Sequence, residues 1–149
     1  MPASTINPCT ASQSVPVATE DKIRLYSPTQ IAAAAALGSL AAGGTMLALN
    51  FEKLNRKGAA IAAVLLGLIA TISQIGLVTV LSFEIPGQVF WITNALIALA
   101  VAKGTQGNDF AAHTSAGGKL ERGWKAILIV AGFASFWFGM LYLLFGLGN

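Results

Sequence analysis

A chain of 149 residues with 55% hydrophobic and only 10% charged residues, a mean hydropathy of +0.70 and a formal net charge of +3 is not an ordinary soluble domain, in which about a quarter of residues are charged. The nine basic residues are scattered over short polar stretches without interleaved stacking aromatics, which argues against nucleic acid as a partner. Cys9 is the single cysteine, so an intrachain disulfide and a thiolate metal cluster are both excluded.

Residues 1–24 are rich in Ser, Thr, Ala and Pro and hold no apolar run of signal-peptide length, so they read as a disordered tail. The remainder, 25–149, reads as one membrane domain. Its opening, LYSPTQIAAAAALG, places Ser27 at an N-cap, Pro28 at the first helical position and Gln30 at the third, a capping box. Tyr26 and Ile31 are spaced as a hydrophobic staple, with the tyrosine at the membrane interface.

Helices are predicted over about 28–51, 59–82, 88–103 and 123–147. A helix needs roughly 20 apolar residues to cross the hydrocarbon core, so the first, second and fourth are long enough and the third is short. None shows the alternation of barrel strands. The expected fold is therefore all-α, an integral membrane bundle of four transmembrane helices. The alternative is three spans with a re-entrant third segment.

The first helix is poor in bulky residues: Ile31, Leu37, Leu40, Met46, Leu47, Leu49 and Phe51 are its large apolar positions. Small residues recur instead at helical spacing, Ala32, Ala36 (or Ala35), Ser39 and Gly43, a smooth face for a neighbouring helix. Matching seams are Ala63, Gly67 and Thr71 in the second helix and Ala131, Ser135 and Gly139 in the fourth, while Asn94, Ala98 and Ala102 mark the third. Gln74 and Asn94 each lie roughly 10 Å inside their helices, counted at 1.5 Å per residue, and are placed to hydrogen-bond across an antiparallel pair.

Basic residues concentrate in the stretches 52–58 and 103–123, with Lys125 just beyond. With four spans these loops share one side, the cytoplasm by the positive-inside rule, and both termini face the periplasm. The loop after the third helix carries the single histidine, His113, four residues after Asp109, and the Gly117-Gly118-Lys119 step before Trp124. A general-base pair has the right spacing there, but no nucleophile is marked and no second histidine offers a metal site. The spans hold no ionisable residue away from their ends, so an ion-coupled carrier is disfavoured.

The run LYSPTQIAAAAALGSLAAGGTMLALNFEKL and the patch HTSAGGKLERGWKA resemble a group of small uncharacterised bacterial inner-membrane proteins. In that group an LYSPxQI lead-in opens a Gly/Ala-rich span, and a histidine, a Gly-Gly pair and a Trp-basic step precede the last helix. The resemblance implies a bacterial inner-membrane location and no enzymatic activity. Residues and resemblance together lead to one expectation: a non-enzymatic protein of the bilayer, without cofactor or metal, that binds another membrane protein or itself. An accessory subunit or an immunity protein fits that description, and a small oligomeric channel or facilitator is the alternative.

Overall fold

The computed structural model describes residues 23–81 and 86–146. Its elements run β1 (Arg24–Leu25), α1 (Pro28–Gly38), α2 (Leu40–Lys53), α3 (Lys57–Leu81), α4 (Gly87–Ser115), β2 (Lys119–Leu120) and α5 (Gly123–Gly146). Apart from β1 and β2, which pair in parallel with Arg24 opposite Lys119 and Leu25 opposite Leu120, the fold is helical. Three helices, α3, α4 and α5, are long and apolar enough to cross a membrane. All but two residues of the expected tail, Ile23 and Arg24, lie outside the described residues.

The expected single helix over 28–51 is instead a hairpin. The backbone N–H of Tyr26 donates to Asn50 Oδ1 at 2.8 Å, and Asn50 Nδ2 donates back to the Tyr26 carbonyl at 2.8 Å. A continuous helix would hold those two residues about 36 Å apart. The chain reverses at Ser39, whose φ of +130° is one that residues bearing a Cβ rarely adopt. Its hydroxyl is buried without a hydrogen-bond partner, so packing around the turn, not a local side-chain bond, maintains the strain.

Small residues allow the reversal. A Cβ on Gly43 would lie 2.8 Å from the Ala35 Cβ and 3.3 Å from the Ile31 carbonyl oxygen, so α2 folds back directly onto α1. The small-residue face drawn through Ala32, Ala36, Ser39 and Gly43 assumed one straight helix and does not exist as one line. Ala32 is buried, Ala36 is half-buried, Ser39 forms the turn and Gly43 lies on the returning arm. Hydropathy sums composition over a window and does not register where the axis turns, which is why a smooth Ala/Gly-rich stretch reads as one span.

α3 packs along α2, α4 along α1, and α5 lies across both, whereas the three long helices make little direct contact with one another. The α2–α3 approach is backbone-close: a Cβ on Gly67 would lie 2.8 Å from the Leu40 carbonyl oxygen, and one on Gly44 2.6 Å from that of Ala63. Thr71, buried beside the turn, accepts from the Ala41 N–H at 3.0 Å and donates to the Gly67 carbonyl at 2.9 Å. It thereby satisfies one of the N–H groups that the start of α2 leaves without an intrahelical partner.

Two further expectations change. The third helix does not stop near 103 but continues as α4 to Ser115, so much of the supposed polar loop is helical and the re-entrant alternative at that segment does not apply. Parallel pairing of β1 with β2 sets the described N-terminal residues at the end of the bundle where α5 begins. The described N-terminal residues therefore lie beside the start of α5, at the opposite end of that helix from Gly146.

Candidate interaction surfaces

The base of the hairpin is closed by a polar latch built from five segments of the chain. Ser27 caps α1, accepting from the Gln30 N–H at 3.2 Å while its own N–H donates to Gln30 Oε1 at 2.9 Å, with Pro28 at the first helical position. Tyr26 and Ile31 both belong to the buried core cluster. Asn50, only 2% exposed, saturates its amide by also donating to Gln106 Oε1 at 3.0 Å, and Gln106 Nε2 donates to the Leu47 carbonyl at 3.0 Å. One α2 residue thus ties the lead-in strand to α4.

Glu121 completes the latch. Its backbone N–H donates to the Leu25 carbonyl at 2.8 Å, and its carboxylate, buried at 6% exposure, meets Lys53 Nζ at 2.8 Å and Lys125 Nζ at 3.0 Å. Lys53 also donates to the Arg24 carbonyl, and Gln30 Nε2 to the Glu121 carbonyl at 3.3 Å. Burial pushes the Glu121 pKa up. The hydrogen bonds from Lys53 and Lys125, the Lys53 charge and the Arg122 N–H outweigh it, leaving the carboxyl at about 2. Burial, and secondarily the Glu121 charge, raise the Tyr26 phenol, over whose ring Lys53 Nζ sits at 5.1 Å.

Sequence reasoning singled out neither Gln106 nor Glu121. Both sit in polar stretches where composition suggests solvent, and only the hairpin fold brings them against Asn50 and Lys53. An available signal was the Asn50–Lys53 step closing an otherwise apolar stretch.

His113 is placed against the turn it precedes. Its imidazole lies where any Cβ on Gly118 would stand, its Nε2 is 3.2 Å from the Lys119 carbonyl, and Gly117 supplies a φ of +80°. Asp109, the supposed partner of His113, instead pairs with Arg56 at 3.0 Å. Trp124 is exposed at the start of α5. Among the described residues no cluster of three or more His, Cys, Asp or Glu side chains is arranged to hold a metal.

The small-residue seams meet different fates. Ala63, Gly67 and Thr71 are buried against α2, and Asn94, Ala98 and Ala102 are buried on α4. Ala131, Ser135 and Gly139 are exposed, and the space beyond Gly132 and Gly139 is open. α5 turns Ala126, Ile129 and Val130 toward the core and leaves this small-residue side outward.

Gln74 Nε2 donates to Asn94 Oδ1 at 2.6 Å, a bridge between α3 and α4 beyond the hairpin turn. In thermal melts of Gln74→Leu, Asn94→Leu and the double variant, the expected coupling is about 0.6 kcal/mol, with ~2 as a ceiling. Strictly additive losses would show that the bridge contributes nothing. No family model, curated protein or solved structure matches this chain.

Proposed function

We propose that this is a non-enzymatic membrane protein that works by lateral association, with another membrane protein or with a second copy of itself, through the outward face of α5. The observation that carries this reading is the contrast among the seams. Two are used inside the chain, whereas on α5 the Ala131, Ser135 and Gly139 side has no neighbour among the described residues, and only 6% of its apolar window is buried, against 17% for α3 and for α4. In lipid, helices associate by close packing and not by a hydrophobic effect, so a smooth outward stripe between Leu128 and Tyr142 favours helix docking over lipid contact alone.

In this reading α3, α4 and α5 span a bacterial inner membrane. Arg24 and the basic residues of 52–58 and 116–125 gather at the end where the hairpin begins and closes, which the positive-inside rule assigns to the cytoplasm. The hairpin then rises from the cytoplasmic side and turns back near mid-depth, and the far end of α5 faces the periplasm. Backbone at such a turn is tolerated in a membrane because protein surrounds it.

Single cysteines at 131, 135 and 139 in a Cys9→Ser background give the test. Disulfide or bismaleimide cross-links to a second copy, or to a co-purifying membrane protein, are expected at those three positions and not at Val130, which packs toward the core. Cross-linking that ignores helical phase, or none at any of the three in native membranes, would remove the α5 interface.

A further inference from the structure

α3 and α4 flank an apolar groove floored by the hairpin. Its volume is about 400 Å³, and its walls run from Ala59 to Ala70 on α3 and from Ile97 to Thr105 on α4 over Gly43, Gly44 and Leu47. Both ends are strapped by polar pairs one helical turn beyond those walls: Arg56 to Asp109 at the basic end, and Gln74 to Asn94 at the other. Thr105 is the one polar side chain among the residues lining it.

Dimensions select the occupant. From Ala59 to Ala70 the groove is about 16 Å long at 1.5 Å per residue, and a helix at least 10 Å across would need roughly 1,200 Å³ over that length. A hydrocarbon chain, one van der Waals contact or about 4–5 Å across, needs roughly 250 Å³. The groove begins at the basic end and stops near the hairpin turn, so its length is about half of a ~30 Å hydrocarbon core, the depth of one leaflet. Arg56, paired with Asp109 and lying over the ring of the lining residue Phe51 at 5.3 Å, stands at its basic end, where its exposed guanidinium edge can meet a lipid headgroup.

We infer that the groove between α3 and α4 holds one acyl chain of a phospholipid from the basic-side leaflet, with its headgroup beside Arg56. The site is separate from the α5 face and does not depend on it. Native mass spectrometry of the full chain, extracted in mild detergent and exchanged extensively, is expected to show about one retained phospholipid per chain. Ala62→Phe with Val101→Phe fills the groove from two exposed wall positions, and the retained lipid should fall about fivefold or more as the rings take the chain's contacts. Ile69→Phe, on α3 but outside the groove, should retain it. Retention of free fatty acid alone, no lipid on the unaltered protein, equal lipid in both variants, or an Ala62→Cys cross-link to another polypeptide would each overturn the assignment.

Discussion

Replacing Asn50 with leucine should lower the stability of the detergent-solubilised protein by roughly 3–5 kcal/mol, because three buried partners lose their hydrogen bonds together at about 1–3 kcal/mol for each orphaned group. The partners are the Tyr26 N–H, the Tyr26 carbonyl and the Gln106 amide, and none has water within easy reach beside a residue 2% exposed. Asn50→Asp is the sharper comparison. It keeps the shape and the acceptor for Tyr26 N–H but sets a carboxylate against the Tyr26 carbonyl and the Gln106 oxygen, so its loss should equal or exceed that of leucine. Thermal melts of both variants, with Gln106→Leu in combination, check the claim. A leucine variant within 1 kcal/mol of the parent would mean that the latch is not what closes the hairpin.

Glu121→Gln carries the second large effect, and it depends on pH. The carboxyl group is held at about 2 in the folded protein against an ordinary value of 4.5, so its contribution is fully present above about pH 4.5 and is lost as pH falls toward 2. At 1.36 kcal/mol per pKa unit the contribution is about 3 kcal/mol at neutral pH, toward the lower end because Lys53 and Lys125 remain partly exposed to solvent. The parent should therefore lose stability on acidification from pH 4.5 downward. The glutamine variant should start lower at pH 7 and stay comparatively flat. Parallel melting curves that keep a constant gap from pH 7 to pH 3 would contradict the role given to this carboxylate.

Composition and apolar run length made the helical fold, the presence of helices long and apolar enough to cross a membrane, and the approximate placement of α3 and α5 legible, because each of those two helices is one uninterrupted apolar stretch. The Ser27 cap was legible for the same local reason: its partners lie within three residues. The hairpin was not. Its turn at Ser39 uses no Pro and no Gly at the reversing residue, and its arms of 11 and 14 residues together have the composition of one weak span. The polar stretch after Lys103 was misread as loop because its side chains are hydrophilic, yet Gln106 is buried and Asp109 is paired across to Arg56. Polar residues whose partners lie 50 or more positions away carry no local signature.

The latch also fixes an order of events during synthesis. Arms of 11 and 14 residues are too short to be stable helices in isolation. The partner that closes over Lys53 is Glu121, 68 residues later by the difference of their numbers. At about 5–20 residues per second the ribosome takes roughly 3–14 s to cover that distance. For that interval the first apolar segment waits with its base open, so the hairpin is the earliest part of the membrane domain to be made and among the last to be secured.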